Sequence, residues 1–259
     1  MYRPLSDATA RKGADFDLVN PLNTEILVFL HIPKTAGTSF KHRLLAEYGA
    51  ERVALVYKTD DRAAGLRDAL HQKPYAISGH LSMADVEVAM SSTAFPLALY
   101  TFIRDPQSQV ISHFLHRVRD RNLPPTERLR AFESFLDEPR GRNVQSLLLS
   151  GLPRSAWPEA EPERIWNGVL ERLPRFRCLG TTEQYDKSLS VIRTQQHWAR
   201  RKPEHRNPMR QSDWVAELRM RYAERIAEQN LLDTALHTRA TATLNEAFAA
   251  LSPWRRWFG

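Results

Sequence analysis

Residues 26–41 read ILVFLHIPKTAGTSFK, an apolar run that breaks at Pro33-Lys34-Thr35 and passes straight into a helical pattern. Ile26 to Leu30 has the length and apolar density of a strand buried on both faces of a parallel sheet. Beyond the turn, Phe40, Leu44 and Leu45 recur on one helical face, and Thr38 or Ser39 is of the type that caps such a helix. A strand, a tight loop and a helix in that order aim free loop amides and the positive end of the helix dipole at one point, where an anion is held. Gly37, after Ala36, lets the backbone approach that anion; Lys34 adds a point charge, and Thr35, Thr38 and Ser39 add hydroxyl donors.

A second apolar run, Leu97 to Ile103, ends in Arg104-Asp105-Pro106, after which Val110, Ile111, Phe114 and Leu115 set a helical period. Arg104 therefore falls at a strand's carboxyl end and Ser112 about two turns into the next helix, so both can face one crevice. Between these segments, Tyr75-Ala-Ile-Ser-Gly-His80 reads as a third strand ending in a histidine. Open α/β sheets bind ligands at that edge, and an imidazole suits deprotonation of a hydroxyl near neutral pH. His113 and His116 lie on the helix after Pro106, but His-x-x-His without cysteine or carboxylate partners at ligand spacing is weak as a metal signal.

The first loop has no GxxxxGK[ST] pattern and its lysine precedes the glycine, which argues against an ordinary ATPase or kinase. His31-Ile-Pro-Lys-Thr-Ala-Gly-Thr-Ser39 resembles instead the 5′-phosphosulfate loop of carbohydrate sulfotransferases, in the branch typified by heparan sulfate 2-O-sulfotransferases. The resemblance spans roughly residues 26 to 248. It implies an α/β fold with a P-loop-like central parallel sheet flanked by helices and a helical C-terminal layer. It also implies 3′-phosphoadenosine-5′-phosphosulfate (PAPS) as donor, its bisphosphate (PAP) as product, and no metal. Under it, Lys34 and residues 35–39 hold the 5′-phosphosulfate, Arg104 and Ser112 hold the 3′-phosphate, and His80, in a Gly-His pair, is the general base. Asn143-Val-Gln145 is similar to a helix beside the acceptor, which makes Asn143 and Gln145 substrate-binding candidates. The segment Arg177 to Asp186, with Glu183 in a Gly-x-x-Glu pattern, resembles the last core strand and the turn after it. Where many members carry an arginine, this chain has Gln109.

The expected organisation is an N-terminal arm over 1–23, a single sulfotransferase domain over 24–250 and an aromatic, basic tail over 251–259. A chain of 259 residues, 42% of them hydrophobic, can bury a substantial core. Its one cysteine, Cys178, excludes an intramolecular disulfide. The first twenty residues have no apolar stretch of the signal type and no ~20-residue apolar span occurs elsewhere, so the expected address is the cytoplasm and the expected source bacterial.

The net charge of +7 and the arginines at 117, 119, 121, 128, 130, 140 and 142 suit a carbohydrate acceptor, including an acidic glycan. Nucleic acid is the competing partner for that charge, but no recognition-helix framework, RRM signature or zinc finger accompanies it. Arg200 to Arg206, interrupted by Pro203 and followed by Pro208, reads as a loop able to cover the nucleotide, and Pro253 to Gly259 can touch an anionic membrane weakly or dock on the core. The expected reaction is transfer of a sulfuryl group to a carbohydrate hydroxyl. A small-molecule or lipid acceptor, or a non-catalytic nucleotide- or nucleic-acid-binding role, is the alternative.

Overall fold

The computed structural model describes residues 25–91, 95–119, 123–199 and 213–252. The expected arm over 1–23, the Arg200–Arg206 loop and most of the tail lie outside the described residues. Five parallel strands form the sheet: β1 (Ile26–Leu30), β2 (Val53–Val56), β3 (Ala76–Gly79), β4 (Leu97–Ile103) and β5 (Phe176–Thr181), in the order β2-β3-β1-β4-β5. β1 is central, pairing Leu27–Leu30 with Ala76–Gly79 on one side and Ile26–Leu30 with Leu97–Thr101 on the other.

Alternation along these strands feeds two cores. Ile26, Val28, Leu30, Leu99 and Ile103 join the cluster on one face, and Leu27, Phe29, Ala98, Tyr100 and Phe102 join that on the other. Helices α1 (Gly37–Tyr48) and α8 (Tyr185–Gln196) cover the second face through Phe40, Leu44, Tyr48, Val191 and Ile192. The first face takes α2 (Arg62–His71), α3 (Met83–Met90), α6 (Val144–Leu149), α7 (Pro162–Arg172) and part of α11 (Leu231–Ala249). Phe29, Phe40 and Phe102 are fully buried and touch one another, each worth about 1.5–3 kcal/mol of transfer energy. With both faces covered, apolar residues fill every position of β1, which is why that strand is so legible in sequence.

A third cluster lies apart from the sheet. Helix α4 (Pro106–Val118) packs with α5 (Pro125–Asp137), α9 (Asp213–Arg221) and α10 (Ala223–Gln229) through Ile111, Phe114, Phe132, Leu218 and Ile226. No helix among the described residues is long and apolar enough to cross a membrane.

The chain enters β2 from β1 on one side of the sheet and leaves β4 for β5 on the other. The connections after β1 and β4 thus run in opposite directions, which opens a crevice between the carboxyl ends of these adjacent strands. The β1–α1 and β4–α4 turns meet there.

Candidate functional site

Three neighbouring strands, β3, β1 and β4, deliver His80, Lys34 and Arg104 at their carboxyl ends. A cleft of about 530 Å³ is lined there by these three residues with Ala36, Gly37 and Thr38 of the first loop and Ser112 of α4. Two strand spacings place the His80 and Arg104 edges roughly 10 Å apart, a span that fits a ligand bearing two anionic groups.

The first loop folds tightly. Lys34 and Ala36 both adopt left-handed backbone conformations, with φ of 69° and 62°. Such a conformation costs a non-glycine residue about 1–2 kcal/mol, and strain of this kind concentrates at binding sites. Ala36 is the N-cap, and the helix begins at Gly37 with no side-chain cap. The expectation that Thr38 or Ser39 caps α1 is thereby corrected: the left-handed turn at Ala36 starts the helix early, and both hydroxyl residues fall within its first turn. Thr38 lines the cleft, whereas Ser39 is buried. Thr35 is also fully buried and donates its hydroxyl to the Ile32 carbonyl at 2.8 Å, so its side chain closes the loop instead of facing a ligand.

Gly37 has a different steric role from the one expected of it. A Cβ there would collide with the Cδ2 and Nε2 edge of the His31 imidazole. Gly37→Ala is therefore expected to displace His31 and cost about 1–3 kcal/mol, as overpacking does. Chemical denaturation reads this directly, and wild-type stability would mean that the ring moves aside freely.

His31 organises the base. Its carbonyl accepts from Nδ1 of His80 at 2.8 Å, and its ring lies 4.5 Å from the His80 ring, centroid to centroid. A carbonyl can only accept, so His80 Nδ1 carries the proton and Nε2 keeps its lone pair. The His31 ring meets the Tyr57 hydroxyl at 2.9 Å, and that hydroxyl meets Ser78 Oγ at 2.6 Å. Burial above all, then His80, Lys41 and Lys34, pulls the His31 pKa down to about 3, so it stays neutral. The unfolded chain takes up this proton near pH 6.5, so stability falls as pH drops from there towards 3. His80 is also held below 6.5, first by burial and then by Arg62 and Arg154, against the opposing pull of the His31 carbonyl. It is therefore a neutral acceptor at physiological pH.

The two turns are stitched together. Arg104 Nη1 donates to the Lys34 carbonyl at 2.9 Å, and Gln109 Nε2 donates to the Pro33 carbonyl at 3.2 Å. Gln109 is 2% exposed, so it braces the first loop from below. Lys34 lies below its ordinary pKa through burial and then through Arg104 and Arg119, and Arg104 is lowered mainly by burial. The buried Nε of Arg104 has no hydrogen-bond partner among the described residues. Desolvated cations that repel one another form a site whose electrostatics favour a multiply charged anion.

Asn143 and Gln145 hold backbone beside the site. Gln145 is fully buried, accepting from the Arg104 amide at 2.8 Å and donating to the Arg104 carbonyl at 2.9 Å. Asn143 Oδ1 caps α11 by accepting from the amides of Leu232 and Asp233, at 3.0 and 3.2 Å. Asp233, fully buried, returns the contact by accepting from the Gln145 and Ser146 amides. Both amide atoms of Gln145 and Oδ1 of Asn143 are thus engaged with backbone, and neither residue lines the cleft, where the resemblance had implied substrate binding.

A scan against protein-family models and a search of curated proteins return no match for this chain. Family and activity therefore rest on the site itself. Sequence reading did not place His113, His116 and Arg119 in the cleft, although all three line it with Ser112. The available signal was their spacing, since 112, 116 and 119 repeat on one helical face. The described residues contain no group of three or more histidine, cysteine or acidic side chains able to hold a metal ion.

Proposed function

We propose that this protein is a PAPS-dependent sulfotransferase acting on a carbohydrate hydroxyl, with a P-loop-like sheet of the kind its first loop resembles. The observation that carries this function is the convergence of two cationic turns and a neutral histidine on three adjacent strand ends. An anion site alone suits many nucleotides. The addition of a base, with its free nitrogen fixed by the His31 carbonyl, suits transfer to a hydroxyl.

The residues present fit the donor. The first-loop amides, Thr38 and Lys34 would hold the 5′-phosphosulfate, and Arg104, with its orphaned buried Nε, would hold the 3′-phosphate together with Ser112. The donor, when bound, supplies an activated sulfuryl group on a bisphosphate leaving group. His80 Nε2 takes the acceptor hydroxyl proton as its oxygen bonds to sulfur. Lys34 and the loop amides neutralise the charge that develops on the departing phosphate oxygen as the sulfur–oxygen bridge breaks. The basic lining fits an acidic glycan as acceptor.

Calorimetric titration with 3′,5′-adenosine bisphosphate, 5′-AMP and ATP tests the donor site. Selective micromolar binding of the bisphosphate is expected, and a preference for ATP would refute the assignment. Arg104→Ala should weaken bisphosphate binding by about 10–100-fold, the worth of charge-assisted hydrogen bonds, while hardly touching 5′-AMP. Equal losses for both nucleotides would remove Arg104 from the 3′-phosphate.

A further inference from the structure

Helix α11 reaches the Arg104–Asp105 turn at two points one helical turn apart. Asp233 does so through α6 and Gln145, as described above. His237, four residues on, meets Glu183 Oε2 at 3.1 Å, and Glu183 Oε1 accepts from the Asp105 amide at 3.2 Å. Glu183 is thus held at both oxygens, one by a side chain and one by backbone. Its charge nevertheless acts on Arg104 more strongly than that of Asp105, and Arg219 repels the same guanidinium. No ion pair joins Glu183 to Arg104 among the described residues. A carboxylate seated on the amide next to Arg104 is placed to compete with a phosphate for the same fork of donors.

We infer that His237 is a positioning residue that holds the Glu183 carboxylate off Arg104, so that the guanidinium stays available to an incoming phosphate. The inference rests on Arg104 as the phosphate contact proposed above. With the imidazole gone, Glu183 turns onto Arg104 and lowers its affinity for anions; with it uncharged, the hold is weaker and the same shift is partial. The charged groups bearing on His237 are Glu183, from the β5–α8 turn, and Asp105, from the β4–α4 turn; β4, β5, α4, α6, α8 and α10, the elements packed on α11, add no further charge to it among the described residues. The Glu183 hydrogen bond raises the His237 pKa above 6.5, so the hold is strongest below that pH and weakens as pH rises through the raised value, when Nε2–H still donates but the imidazole has lost its charge.

Bisphosphate affinity, measured by calorimetry between about pH 6.5 and 8.5, where phosphate is mostly dianionic, tests this. Wild-type affinity should fall across the range, and His237→Ala should bind about fivefold more weakly at the lower end, the size of one partly exposed ion pair. Glu183→Gln added to His237→Ala should restore binding and abolish the extra pH dependence, which loss of packing alone would not allow. His237→Ala that binds like wild type, or a double variant as weak as the single, overturns the inference. Wild-type protein that binds no bisphosphate overturns it together with the donor site, whereas wild-type binding with an unaltered single variant overturns the His237 role alone.

Discussion

Replacing His80 with alanine is expected to lower turnover by about 10²–10⁴-fold, the contribution of a positioned general base, while leaving affinity for 3′,5′-adenosine bisphosphate unchanged. The separation follows from geometry: the base stands at the end of β3, and the phosphate contacts stand on the turns after β1 and β4. Because burial holds the His80 pKa below 6.5, the acid limb of the pH–rate profile should lie below that value. Lowering the pH through it protonates Nε2 and removes the base, so the rate falls on the acid side of that value. An acid limb at or above pH 6.5 would mean that another group accepts the proton. Collapse of bisphosphate binding in His80→Ala would recast the residue as part of the scaffold, which its bond to the first loop through the His31 carbonyl makes a fair test.

Lys34→Ala should lower kcat by about 10²–10³-fold, as loss of one preorganised charge at a developing anion does. The lysine sits in a strained backbone conformation, its carbonyl tied by Arg104, so its root is fixed while its ammonium is partly desolvated. Low local dielectric strengthens its pull on the leaving oxygen. Lys34→Arg should recover little, because a planar fork cannot replace a compact charge in so tight a loop. Single-turnover kinetics separate this effect from binding, and a variant that matches wild-type kcat would take Lys34 out of the chemistry.

β1, β3 and β4, the strands that deliver the site, are readable from sequence because each is a short apolar run ended by a turn or a histidine. The residues at those ends, Lys34, His80 and Arg104, are readable for the same reason: they are fixed by local chain order. The supporting contacts are not. His31 meets Tyr57 26 positions away, Arg104 meets Gln145 41 away, and Asp233 meets Ser146 87 away. No local period encodes such pairings. Asn143 and Gln145 show the limit clearly, since the resemblance set them beside the acceptor while the fold puts Asn143 Oδ1 on the first turn of α11 and Gln145 on the backbone of Arg104. The edge strand β2 lies in a short apolar run, Val53 to Tyr57, that sequence reading did not single out, and with Leu55 exposed its burial pattern is mixed.

The two bonds between Gln145 and Arg104 reproduce what a neighbouring peptide would supply, one donor and one acceptor facing a single residue. β4 ends at Ile103, yet its ladder gains one more rung, made from a side chain. The guanidinium therefore stems from backbone as stiff as a strand while standing outside the sheet, where a ligand can reach it. Little motion is left to freeze when an anion arrives, so affinity at this position depends on charge and fit instead of on ordering a loop.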